Sequence, residues 1–204
     1  MTKRKAYENE IYWGKPVSGF GPADASMLIV GLAPGAHGAN RTGRVFTGDR
    51  SGDWLFGSLH RNGLAKLATS TSRGDGQELI GVRITCAVHC APPDNKPSTE
   101  EKATCSPWLL KEISLLMPTL RTFVALGKIG WDGLIGTLKE LGFRIPSPKP
   151  QFGYGSRCEV VGPDGVQRLL IGSYHPSQQN TFTGKLSQSQ LDQIFATASA
   201  YNQS

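Results

Sequence analysis

The chain has 204 residues, 38% of them hydrophobic, and a formal charge of +6 from 22 Lys and Arg against 16 Asp and Glu. That length suffices for one well-buried domain, and no stretch approaches the roughly 18 consecutive apolar residues of a membrane span. The basic start Met1-Thr-Lys-Arg-Lys-Ala leads into Tyr-Glu-Asn-Glu rather than an apolar signal core, so the cytoplasm is the expected compartment. Excess positive charge suits a partner with a phosphate backbone, but it equally describes a plain basic protein.

Residues 1–25 are polar and rich in Gly and Pro, and read as an irregular lead-in. The apolar run Ser26–Gly31 predicts a strand, ending in the loop Leu32-Ala-Pro-Gly-Ala-His-Gly-Ala-Asn40. Asp53–Gly63 reads as a helix with Leu55, Phe56 and Leu59 on its apolar side and Gly63 as its stop. Val82–Val88 predicts a second strand, ending in Cys90-Ala-Pro-Pro-Asp-Asn-Lys-Pro97. Ser98-Thr-Glu-Glu101 is a capping-box signature and opens a helix to about Met117. Thr122–Leu126 is a third strand, followed by Gly127-Lys-Ile-Gly130 and a helix over 130–141 stopped by Gly142. The interval 143–166 is loop-rich with a short strand at Cys158–Val161, and Arg168–Gly172 is a strand ending in Ser173-Tyr-His-Pro-Ser-Gln-Gln-Asn180. A second capping box, Ser187-Gln-Ser-Gln190, opens a helix through Phe195. Alternating strands and helices favour a parallel sheet with helices on both faces, in one domain over residues 1–204. In such sheets ligands bind at the carboxyl ends of the strands, so loops far apart in sequence can share one cleft.

Several of these loops carry candidate chemistry. The Gly31–Gly38 loop is not a dinucleotide fingerprint, because Pro34 intervenes, and no phosphate-binding G-x-x-x-x-G-K-[ST] exists. Its small residues allow either close approach of backbone amides to a ligand or simply a tight turn. Phe46, among glycines and charges, is either a stacking face or an anchor into the core. Asp49 could orient water or stabilise positive charge, or be a turn former. The Asn95 amide offers a donor and an acceptor, matching a pyrimidine edge, or it closes an Asx turn. His175 sits directly after a strand beside other polar loops, which favours function over a structural role. Asn180 and Lys185 could meet phosphate. Of the four cysteines, Cys86 and Cys158 fall in strands and read as core filler. Cys90 and Cys105 bracket the Pro-rich loop. No G-x-S-x-G elbow is present, which weighs against a small-molecule α/β hydrolase.

Together the segments Gly31–Arg44, Phe46–Asp49, Cys90–Pro97 and Ser173–Thr181, in this order, resemble the uracil-DNA glycosylase superfamily, in particular its iron–sulfur branch, family 5 or type B. The resemblance implies a three-layer α/β/α sandwich with a four-stranded parallel sheet. It implies excision of uracil, and of other deaminated bases such as hypoxanthine, from double-stranded DNA by a monomer. Carried over by position, Phe46 would stack on the flipped base, Asn95 would bond its edge, and Gly35, Ala36 and His37 would line it. His175 would contact the uracil O2, and Asp49 would position water or stabilise the sugar cation. Asn40, Arg41, Lys96, Asn180 and Lys185 would meet the DNA. The branch holds a [4Fe–4S] cluster on four cysteines, of which Cys90 and Cys105 match two. The other two belong to an N-terminal C-x-x-C, and no Cys precedes Cys86 here, so the start is expected to be trimmed or misassigned, or the cluster lost. Intact Phe46, Asp49, Asn95 and His175 argue against a DNA-binding module without chemistry.

Overall fold

A computed structural model describes residues 3–203. Strands β1 (Met27–Gly31), β2 (Val82–Cys86), β3 (Thr122–Leu126), β4 (Arg157–Val161) and β5 (Gln167–Ser173) form one sheet in the order β2-β1-β3-β5-β4. The first three and β5 are parallel, as the alternation of elements predicts. Their register pairs Met27 with both Val82 and Thr122, and Thr122 with Leu169. The sheet has five strands rather than four, because β4 adds antiparallel to β5. The turn at Asp164-Gly165 makes that hairpin, with Gly165 at φ +76 and its amide bonded to the Gly162 carbonyl. Both sheet edges are covered. Phe20 bridges Ile84 beside β2, and Arg144 bridges Val161 beside β4.

Successive strand residues point to opposite faces, and both faces are buried. Met27, Ile29, Ile84, Val124 and Ile171 pack against α2 (Arg50–Arg61) and α6 (Gln188–Asn202). Leu28, Val30, Phe123, Ala125 and Leu170 pack against α3 (Thr99–Leu116) and α4 (Lys128–Glu140). Three layers follow directly from this two-sided burial. Two short helices complete the set, α1 (Ala39–Thr42) after β1 and α5 (Gln178–Phe182) after β5.

Both predicted capping boxes are present, at Ser98 with Glu101 and at Ser187 with Gln190. Helix α2 begins three residues earlier than the apolar pattern suggests, because Asp49 accepts a hydrogen bond from the Gly52 N–H and serves as its N-cap. Helix α4 likewise starts at Lys128, and α6 continues past Phe195 to Asn202. The lead-in is irregular but not loose. Among its described residues it carries a 3₁₀ turn at Lys5–Tyr7, and Val17 exchanges hydrogen bonds with His89.

Candidate active site

Aligned strand ends place the loops after β1, β3 and β5 on one side of the sheet, and a cleft of about 480 Å³ opens there. Among its lining residues are Gly35, Phe46, Asp49, Asn95, His175 and Lys185. Four separate loops meet there, as the carboxyl-end rule requires.

Phe46 sits at φ +50, a conformation that costs a bulky residue free energy and needs outside support. Its ring is buried in the core yet lines the cleft, so the anchor and the exposed face are one side chain. Its surroundings leave no slack. A Cβ on Gly31 would lie 2.8 Å from two ring carbons, and one on Gly52 would lie 2.0 Å from the Phe46 carbonyl oxygen. The imidazole of His175 lies nearly parallel to the Phe46 ring, with centroids 5.5 Å apart and 29° between planes.

His175 makes no hydrogen bond through its ring to another described residue, so its nitrogens are available to a ligand. Burial pushes its pKa down to about 4, and the ring is therefore neutral near pH 7. The loop that carries it is fixed from behind. The Asn180 side-chain N–H donates to the His175 carbonyl at 2.9 Å, and Ser177 caps α5 through the Asn180 amide. Gly127, at φ +87, lets the end of β3 pass close to the His175 Cβ, with only 3.4 Å to spare for a Cβ of its own.

Asp49 holds α2 with one carboxylate oxygen and turns the other toward the glycine loop. A Cβ on Gly38 would fall 2.0 Å from Oδ2, and one on Gly35 would fall 3.0 Å from it. Burial raises its pKa above the ordinary value, while the Gly52 and Ser51 amides and the Arg41 charge pull it back. Asn95 follows Asp94, both with positive φ, in the 3₁₀ turn Pro93–Asn95. Asn tolerates that conformation better than most residues. Its side-chain amide closes no Asx turn and bonds no other described residue, so it is free at the cleft wall.

Other residues of the same motifs turn elsewhere. Ala36 and His37 are not at the cleft. The Ala36 carbonyl accepts from the Asn40 amide, and His37 Nδ1 lies 2.9 Å from the Tyr12 hydroxyl. Arg41 is spent within the fold, on the His37 and Gly48 carbonyls and on Glu10 at 2.7 Å. Asn40 and Arg41 thus brace the glycine loop from the side away from the cleft. Lys96 is exposed beside Asn95, and the exposed Lys185 Nζ lies 4.5 Å from the Tyr174 ring centre. Lys128, Phe152 and Tyr174 also line the cleft and were not singled out from sequence. Lys128 stood in a strand-end loop and could have been. Phe152 lies among prolines and glycines with no periodic signal.

Cys90 and Cys105 are near neighbours. The Cys90 thiol is pushed up by burial and then by the charges of Cys105 and Glu101. Among the described residues no group of three or more His, Cys, Asp or Glu could hold a metal ion. Cys86 is fully buried in the core, and Cys158 lies on β4 at the opposite edge of the sheet from β2, so neither joins Cys90 and Cys105. A four-thiolate cluster therefore does not fit the described residues.

The profile of the "Uracil DNA glycosylase superfamily" matches residues 18–199. Curated relatives include a "Type-5 uracil-DNA glycosylase" of Mycobacterium bovis, 48% identical over 97% of this chain and 71% of the relative. One of the same name from Thermus thermophilus is 44% identical over 97% of this chain and 85% of the relative. A "Type-4 uracil-DNA glycosylase" of Pyrobaculum aerophilum is 33% identical over 81% of this chain and 74% of the relative.

Proposed function

The chain belongs to the uracil DNA glycosylase superfamily, and from that premise we propose how its cleft performs the excision. It is a DNA-repair hydrolase that removes uracil by cleaving an N-glycosyl bond. The observation that carries the assignment of roles is the convergence of Phe46, Asp49, Asn95 and His175 from three loops on one cleft.

The target nucleotide leaves the stack at a cost of a few kcal/mol, least at a mismatch such as U·G. Its base slides against the Phe46 ring, and the free Asn95 amide pairs with the carbonyl and N–H of the uracil edge. The C1′–N bond then breaks with its electron pair going to the base. A neutral His175 donates a hydrogen bond to the O2 of the departing anion without giving up its proton. A group with a pKa near 4 is present in that neutral form throughout the physiological range. Asp49 faces the sugar as a carboxylate, stabilises the cation and holds the water whose oxygen bonds C1′. The water's proton passes through Asp49 to solvent. The two lysines of the cleft are engaged elsewhere, Lys128 with Asp132 and Lys185 over the Tyr174 ring, so the reaction ends at an abasic site without strand cleavage. No step passes through an iron–sulfur cluster.

The substrate is double-stranded DNA, read by a monomer in the cytoplasm. The cleft volume also admits a bicyclic base, which extends the reading to hypoxanthine. The test is an abasic-site assay on U·G, U·A, single-stranded U and hypoxanthine oligonucleotides. Alkali-labile product that stays intact without alkali is expected on the U·G duplex. Direct nicking by the pure protein would overturn the monofunctional mechanism, and no release from U·G would overturn the activity.

A further inference from the structure

We infer that Asp75, remote from the cleft, is a positioning residue that holds Phe46 in its productive conformation through Arg44, Ser70 and Thr47. The inference rests on the excision reading above, in which the Phe46 ring receives the base.

Phe46 has positive φ, so the conformation must be imposed by its neighbours. The residues around it are tied to one outside segment, 70–77. Buried Arg44 donates from Nη1 to the Ser70 hydroxyl and to Asp75 Oδ1, both at 2.8 Å. The wholly buried Thr47 hydroxyl lies 2.7 Å from the same Ser70 hydroxyl and donates across Phe46 to the Val45 carbonyl at 3.1 Å. The Gly48 amide donates to the Ser70 carbonyl at 3.1 Å. Ser70 is thus the hub on which both flanks of Phe46 close.

Asp75 in turn fixes the hub. Its Oδ2 accepts from the Thr71 and Ser72 amides, and its Oδ1 accepts from Gln77 N–H and from Arg44. Gln77 then donates to the Leu67 and Thr69 carbonyls, which closes the segment on itself. The Arg44 guanidinium also lies 4.6 Å from the Phe20 ring centre, so it has one well-defined seat. Removing the Asp75 carboxylate leaves a buried cation and several amides unpaired, and the segment must shift to resolve them. A shift of about 1 Å in a substrate-positioning group can cost roughly 10²-fold in rate.

The experiment compares wild type, Asp75→Ala and Asp75→Asn by single-turnover uracil release from a U·G duplex and by amide hydrogen exchange. Asp75→Ala is expected to lose about 10²-fold in rate, and Asp75→Asn, which keeps one acceptor oxygen but sets an amide N–H₂ where the other accepts two N–H groups, is expected to recover only part of it. In a Phe46→Ala background the same Asp75→Ala change should have little further effect, because the ring it positions is gone. Faster exchange is expected at residues 44–49, with the strands β1 and β3 unchanged. An Asp75→Ala enzyme of wild-type rate, or an equal loss with and without Phe46, overturns the inference. Should Asp75→Ala not fold, Asp75→Asn with unaltered exchange at 44–49 and unaltered rate overturns it equally. If wild type itself releases no uracil, the excision reading fails, and the exchange pattern alone then decides whether Asp75 holds this segment.

Discussion

Charge develops on the departing base only in the transition state, so a donor aimed at it acts on the rate rather than on affinity. His175→Ala should therefore slow single-turnover excision by roughly 10²–10³-fold with DNA binding little changed; equal losses in both would assign the residue to binding instead. The same histidine leaves a mark on stability. Its pKa is about 4 in the folded protein against 6.5 for an unperturbed ring, so between those values the unfolded chain binds more protons. Its contribution destabilises the fold as pH drops from about 6.5 to about 4. Urea midpoints across that window should fall less steeply for His175→Ala than for wild type. Asn95 makes the opposite kind of contribution, since the uracil edge is polar before and during the reaction. Losing such a buried pairing costs up to roughly 10⁴-fold in discrimination, and Asn95→Ala should lose most uracil release. Full activity in that variant would move recognition to another group. The sequence suggested both residues from their strand-end positions. It left open whether Asn95 closes a turn, and in the structure its amide bonds no other described residue while lining the cleft.

Helix α2 shows one side chain serving an element and a reaction at once. Asp49 caps the helix through the Gly52 amide while its other oxygen meets the glycine loop. Asp49→Asn keeps an acceptor for the cap and removes only the charge, whereas Asp49→Ala removes both. The Ala variant should therefore unfold about 1 kcal/mol more easily than the Asn variant, with both strongly impaired in excision. Equal stability would mean that the cap contributes nothing. The apolar pattern of Leu55, Phe56 and Leu59 located the helix but not its start, because residues 50–52 carry no apolar signal and the cap is decided by a side-chain bond. The capping boxes at Ser98 and Ser187 were legible because both halves of each are written in four consecutive residues. Helix α5 was not, since five residues give too little periodicity to separate a helix from a loop. The bracing roles of Asn40, Arg41 and Asn180 were equally hidden. Their partners are backbone carbonyls, and no sequence pattern marks those.

At the scale of the molecule, the parallel sheet was readable because strands buried on both faces are continuous apolar runs. The edge strand β4 was legible as a short strand at Cys158–Val161, but its antiparallel pairing was not readable, because that depends on a turn. Which basic residues share a face was also unreadable, as charge has no period. The structure puts Lys185 on the cleft wall and Lys96 beside Asn95, while Arg41, Arg44 and Arg168 are committed to internal partners. The net charge of +6 already subtracts the acids that hold these arginines, so it does not show which cations are free to meet phosphate. Each phosphate neutralised on duplex DNA contributes about −0.9 to the slope of log affinity against log salt concentration. Lys185→Ala and Lys96→Ala should each weaken binding to all duplexes alike and reduce the magnitude of that slope by about 1, whereas Arg44→Lys should leave it unchanged. Titrations of a uracil-free duplex at several salt concentrations measure this directly. A slope unaltered in Lys185→Ala would mean that the DNA approaches the cleft from its other rim, past Lys128 rather than across α5.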